Sequence, residues 1–194
     1  MLDTDPEAAF DDLAQLATAV TGCGRAFITL VDDHRSFWKS TVGVDSEGPA
    51  ERQNPVAESF CYFLVGLHGD PFVVEDAAAD PRTNAHPAIT RMKIGAWAGY
   101  PILAPGGEVL GSMCVIDENP HAWQPDELAA LGTMARAVSN EINLRTSLAV
   151  AEHALGTATE LARSLQNSLL PPILQKVPGL GRPPRICPQR VAPP

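Results

Sequence analysis

Two apolar hairpins, far apart in the chain and separated by helical segments, constrain this sequence more than any other feature. The first runs Phe27-Ile-Thr-Leu-Val31, a charged turn Asp32-Asp-His-Arg-Ser36, then Phe37-Trp-Lys-Ser-Thr-Val42. The second runs Gly99-Tyr-Pro-Ile-Leu-Ala104, a turn Pro105-Gly-Gly107, then Val109-Leu-Gly-Ser-Met-Cys-Val-Ile116. Each joins two runs rich in β-branched and aromatic residues across a short turn. Hairpin strands pair antiparallel, so the helices between them must pack on the faces of an antiparallel sheet.

The helical segments are legible from their spacing. Phe10, Leu13, Leu16, Ala17 and Val20 recur at three- and four-residue steps and predict a helix over Pro6–Val20, with Gly22 as its stop. Gly43–Asn54 reads as a polar loop, and Pro55 opens a second helix running to Val65. Phe72-Val-Val74 is a strand too short to be central without support. Asp80-Pro-Arg-Thr-Asn84 is a turn in which Pro81 sets φ, and a short helix is expected around Ala88–Met92. From Pro125 the helical pattern resumes and runs to about Leu170. The expectation is an α+β fold: an antiparallel sheet of five or six strands flanked by helices, with a long C-terminal helix.

That long helix carries a second pattern. Leu144, Leu148, Ala151, Leu155, Ala158, Ala162, Leu165 and Leu169 alternate four and three apart, the seam of two helices wound left-handedly. Gly156 weakens the helix by roughly 1 kcal/mol against alanine. Pro171-Pro172 ends it, because proline lacks the N–H and clashes with the preceding turn. The seam predicts a homodimer; a helix folded back on its own domain is the competing reading.

Charge and composition narrow the class. The 194 residues carry a formal net charge of −9, the wrong sign for a nucleic-acid partner, and 45% of them are hydrophobic, enough for a core. No stretch reaches the length of a membrane span, and Met1-Leu-Asp-Thr-Asp-Pro-Glu7 lacks the features of a signal peptide. A cytoplasmic location is expected. Cys23, Cys61, Cys114 and Cys187 form no C-x-x-C pair, so the spacing suggests no metal site.

Several short pieces together resemble the GAF family of small-molecule sensor domains over roughly residues 8–145. They are Ser59-Phe60-Cys61, Val73-Val-Glu-Asp76, Asp80-Pro-Arg82, Gly99-Tyr-Pro101 and Gly111-Ser-Met-Cys-Val-Ile-Asp117. Ala162-Arg-Ser-Leu-Gln-Asn-Ser-Leu-Leu-Pro-Pro172, with Val177-Pro-Gly-Leu180, resembles the linker into the phosphatase domain of SpoIIE/RsbU-type serine phosphatases, which are common in actinobacteria. Those belong to the metal-dependent PP2C class and act on anti-anti-sigma factors. The resemblance implies a sensor at 1–145, a signalling helix at 146–172 and a Pro/Arg-rich tail at 173–194 that is too poor in apolar residues to fold. It also implies a phosphatase domain or an anti-sigma-pathway protein as partner. The paired acidic residues of a phosphatase do not occur before Pro194, and a truncation, a frame break or a stand-alone sensor each fit that ending.

A GAF sensor would hold an as yet unidentified small molecule between its sheet and the crossing helices. Such a pocket is mostly apolar with a few directed polar groups. The candidates are Trp38, Phe60, Cys61, Tyr62, Asp76, Arg82, Trp97, Tyr100, Met113 and Cys114. Trp38 and Tyr100 offer faces to a flat ligand, while Asp76 or Arg82 could fix its charge; for each, ordinary core packing or a turn clamp is the plainer role. Cys61 and Cys114 also permit a thiol-based reading, the reduction of free methionine sulfoxide known among GAF proteins. No Cys-His pair suggests a bilin. His34, His68, His86 and His121 fall in predicted loops or turns, so no haem ligand is expected and no cofactor is identified.

Overall fold

The structure is a computed structural model that describes residues 3–44, 51–67 and 69–169. It divides into two compact units, Met1–Ser147 and Leu148–Pro194. The first unit is built on a six-stranded, wholly antiparallel sheet. The strands are β1 (Arg25–Val31), β2 (Arg35–Val42), β3 (Gln53–Pro55), β4 (Phe72–Val74), β5 (Ala96–Leu103) and β6 (Val109–Asp117), in the spatial order β3-β2-β1-β6-β5-β4. Both expected hairpins form, and they meet through β1 and β6 at the centre. β4 lies at one edge, as a strand of three residues must.

α1 (Ala8–Thr21) and the first half of α4 (Pro125–Leu169) cover one face of the sheet. Phe10, Ala14 and Ala17 of α1 meet Leu131, Ala135, Val138 and Ile142 of α4 over Ile28, Ile102, Met113 and Val115. Gly22 ends α1 in the left-handed region (φ 70°), where glycine carries no Cβ penalty, and its N–H bonds Thr18 O at 2.9 Å. α2 (Cys61–Gly66) and α3 (Pro87–Met92) lie against the other face, over Phe27, Trp97, Cys114 and Ile116. The central strands are therefore buried on both faces, which is why β1 and β6 read as nearly unbroken apolar runs.

Two elements differ from expectation. Pro55 does not open a helix. It closes β3, Val56–Glu58 form one 3-10 turn, and Ser59 is extended (φ −107°, ψ 140°), so the helix starts only at Cys61. The second difference is β3 itself, cut from the segment expected to be a polar loop. The proline pair 171–172, the tail 173–194, His68 and Cys187 lie outside the described residues.

The N-terminal segment is pinned to β2. Lys39, wholly buried, donates to Thr4 Oγ1 (2.5 Å) and to the Asp5 carbonyl (2.8 Å), and it pairs with Glu7. The other Glu7 oxygen pairs with Arg145 of α4, which also bonds Glu141 at 2.6 Å. One carboxylate thus joins β2 to α4 just before the helix leaves the first unit. Lys39 and then Arg145 hold its pKa below the ordinary value.

From Leu148 to Ser168 every described residue of α4 is exposed. Leu144, Leu148, Leu155 and Leu165 of the predicted seam are 54–70% exposed. Leu169 is the last helical residue.

Candidate functional site

The face roofed by α2 and α3 encloses a small cavity. β-strand alternation decides which side chains reach it: Phe27 and Thr29 from β1, Trp38 from β2, Trp97 from β5, Cys114 and Ile116 from β6. Asn54, Ser59, Phe60 and Cys61 enter from β3 and the start of α2, Met92 and Ile94 from the end of α3. The enclosed space is about 20 Å³, room for about one water molecule. Aromatic rings fill the rest. Phe60 stands 5.7 Å from Trp97 and 5.0 Å from His86, and Phe27 meets Trp38 edge-on at 5.3 Å.

Beside it an open hollow of about 310 Å³ is lined by Trp38, Gln53, Asn54, Pro55, Arg91 and Met92. The two spaces share Trp38, Asn54 and Met92, which form the wall between them. The ion pair of Arg91 with Glu58 ties α3 to the 3-10 turn across this opening. Asn54 Nδ2 donates to the Glu58 carbonyl (3.3 Å), whereas its Oδ1 is buried and has no partner. A buried acceptor without a donor costs free energy until something donates to it.

Five of the predicted residues come together here: Trp38, Phe60, Cys61, Trp97 and Cys114. The others do not. Met113 and Tyr100 share the opposite face of the sheet, where Met113 is core and Tyr100 lies against Gly132 of α4. Two-residue periodicity forces this, because Cys114 and Trp97 take the cavity side. Tyr62 is 57% exposed on the outside of α2. Asp76 and Arg82 stand beside an open hollow at the β4 edge. There Asp76 Oδ1 accepts from the Ala78 and Ala79 N–H groups, and Arg82 clamps Asp80 (2.5 Å) and donates to Val73 O (3.0 Å). The other lining residues, Phe27, Thr29, Asn54, Ser59, Met92, Ile94 and Ile116, were not among the sequence candidates. Thr29 is readable from the parity of β1, whereas Asn54 is not, because nothing in Gln53-Asn-Pro55 signals a strand.

The two thiols of the site are poorly placed for redox chemistry. Cys61 and Cys114 are 4% and 3% exposed, and Cys61 Sγ lies 3.0 Å from Ser112 Oγ. Burial, and after it Cys61, pushes the Cys114 thiol well above its ordinary value. A reactive cysteine needs an exposed thiolate of low pKa.

A six-stranded antiparallel sheet with its terminal helices on one face and a roofed cavity on the other defines an α+β sensor-type domain. The chain belongs to the GAF domain family, whose model matches residues 5–142. It is similar to a cyclic di-GMP phosphodiesterase of Pseudomonas aeruginosa, 30% identical over 145 residues that cover 74% of this chain. The match spans 24% of that protein, about a quarter of its length. The fold is also that of the PixJ GAF domain of Thermosynechococcus elongatus in its blue-light absorbing form (TM-score 0.57, 18% identity, 75% of this chain and 92% of that one). A type II free methionine-R-sulfoxide reductase from Thermoplasma acidophilum shares it too (TM-score 0.54, 14% identity, 68% and 87%). At such identities these two likenesses concern the fold alone.

Proposed function

We propose that this GAF domain is a cytoplasmic sensor that takes a flat, uncharged small molecule beneath α2 and α3 and reports its presence through α4. The cavity carries the reading. Its walls are aromatic faces and no lining residue is charged, while Asn54 Oδ1 waits for a donor and Ser59 and Thr29 supply hydroxyls. A ring system bearing an N–H or O–H group matches that lining. Entry requires Trp38 and Met92 to move aside, merging the cavity with the outer hollow. Trp38 and Lys39 are neighbours on β2 and point to opposite faces, so displacement of the first bears on the Lys39–Glu7–Arg145 clamp at α4. The domain boundaries are those of the sequence: sensor 1–145, signalling helix 146–172, tail 173–194.

The helix would act as a dimer, two copies joining along Leu144, Leu148, Leu155, Leu165 and Leu169. The output would be a protein serine phosphatase of the PP2C class in sigma-factor regulation, on the likeness of residues 162–180 to the SpoIIE/RsbU linker. The phosphodiesterase relative supports a second reading, in which the same sensor governs cyclic di-GMP turnover. The near-filled cavity supports a third, a dimerisation module without a ligand.

Native mass spectrometry of the purified chain separates these. A dimer carrying a non-covalent mass, lost in the Trp38→Ala variant, fits the sensor. A dimer that takes up no mass from a metabolite extract leaves the interaction module. A monomer at micromolar concentration removes the helix dimer.

A further inference from the structure

Away from the cavity, three side chains with metal-binding atoms converge where β1 begins and β6 ends. Cys23 follows the Gly22 cap of α1, Asp117 closes β6, and His121 lies in the loop before α4. One ligand atom from each lies within 4.8 Å of the others. We propose that Cys23, Asp117 and His121 form a binding site for a zinc-like transition-metal ion, with a fourth, open position for solvent.

The placing of His121 is the first argument. Its Nδ1 lies 3.3 Å from Asp117 Oδ2 and its Nε2 lies 3.2 Å from Glu127 Oε2. The two ring nitrogens thus face two different carboxylates, so one can bind an ion shared with Asp117 while the other donates to Glu127. The 3.3 Å separation is also the edge expected of a tetrahedron, about 3.3–3.4 Å for zinc bonds to nitrogen and oxygen. An imidazole donating to a carboxylate on its far side is the usual arrangement of a metal-bound histidine.

The surroundings are already built. The His121 ring stacks on Trp123 at 4.1 Å, and its backbone N–H bonds Glu75 O at 2.8 Å. Trp123 in turn donates to Val74 O at 3.1 Å. Asp117 Oδ1 accepts the Asn119 N–H (2.9 Å), leaving Oδ2 to face the site. Glu127 Oε2 is held by the Gln124 N–H at 2.8 Å. Cys23 is 3% exposed, and Asp117 and His121 are 25% and 19% exposed, so the third donor is sheltered and the mouth open.

Ligand chemistry sets the class of ion. Sulfur and imidazole nitrogen favour a borderline ion such as zinc and disfavour calcium and magnesium, which prefer oxygen. Binding breaks the Cys23 S–H bond as the sulfur–metal bond forms, and the proton leaves to solvent. The bound ion would tie the end of α1 to the end of β6 and, through His121 and Glu127, to the first turn of α4.

The test uses the full chain, stripped with chelator and titrated with Co²⁺. Expected is a near-ultraviolet thiolate-to-cobalt absorption with tetrahedral visible bands, saturating at one ion per chain and displaced by Zn²⁺. The thiolate band should vanish in Cys23→Ser and persist in Cys61→Ser and Cys114→Ser. His121→Asn, which keeps the thiol, should weaken cobalt binding at least tenfold. Circular dichroism confirms that each variant folds. No thiolate band, or a band unchanged in Cys23→Ser, overturns the proposal. So does an imidazolium at His121, protonated on both nitrogens by NMR in saturating zinc.

Discussion

The Lys39–Glu7–Arg145 clamp makes a quantitative prediction. Lys39 is wholly buried, and its three N–H bonds go to Thr4, Asp5 and Glu7. Glu7→Ala leaves the ammonium with two neutral acceptors and no counter-charge. Removing one partner of a fully buried pair costs about 3–5 kcal/mol. Glu7 is 32% exposed, so solvent screens part of this and about 2–3 kcal/mol remains. No capping bond is lost, because the Glu7 side chain makes none to α1. At about 2–4 °C per kcal/mol the melting temperature should fall by roughly 4–12 °C. Lys39→Met removes the buried charge itself and leaves Glu7, 32% exposed, paired with Arg145, so it should cost less than Glu7→Ala. Adding it to Glu7→Ala should then recover about half of the loss. Urea unfolding of the four proteins measures this as a double-mutant cycle. A double variant less stable than Glu7→Ala refutes the reasoning, since the cost would not come from a stranded cation.

Three further predictions follow from the same geometry. The Asp32 pKa is lowered to about 2, first by the His34 N–H and then by Arg35, and that of Glu7 is lowered by Lys39 and Arg145. Their stabilisation is fully present above the ordinary values of 3.8 and 4.5 and is lost as pH falls through the folded-state values. Melting temperature should therefore hold between about pH 7 and 5 and drop between about pH 4 and 2; a drop already complete at pH 5 would contradict this. An added Cβ at Gly99 would run into the Trp97 indole, so Gly99→Ala should push that ring into the cavity. The expected result is altered tryptophan fluorescence and loss of any bound small molecule; an unchanged spectrum with binding intact would remove Trp97 from the site. Leu148→Asp with Leu155→Asp should weaken self-association roughly a thousandfold or more, since each buried leucine contributes about 1.5–3 kcal/mol. Light scattering should show monomers with the first unit's melting temperature unchanged, and a persistent dimer would relocate the interface.

Legibility in the sequence tracked how local each signal was. The hairpins, α1 and the edge strand β4 are written in nearest-neighbour patterns, and all appear within a few residues of where the pattern puts them. β3 is not written that way. Gln53-Asn-Pro55 has no β-branched or aromatic residue and becomes a strand only because β2 offers a free edge. The start of α2 failed for a related reason: Pro55 suits the first turn of a helix, but pairing with Arg35 holds it in the sheet. At the cavity, residue type was a poorer guide than parity. Tyr100 and Met113 pair across β5 and β6 and so face α4 together, while Trp97 and Cys114 face α2. Cys23, Asp117 and His121 have no shared spacing at all; the pairing of β1 with β6 is what brings them together.

The two apolar patterns of α4 differ in phase, and this bears on what the exposed part of the helix is for. Leu131, Ala135, Val138 and Ile142 form the stripe that packs on the sheet. At about 100° per residue, Leu144 lies roughly 200° round from Ile142. Leu144, the first residue of the seam, therefore does not prolong the domain-facing stripe. Beyond Ser147 every residue of the helix up to Ser168 is exposed, so no packing within the described chain supports it. Under the proposed dimer, burial against a second copy would add to its stability. Arg145, about 60° from Ile142, stays on the sheet-facing side and ends in the Glu7 clamp.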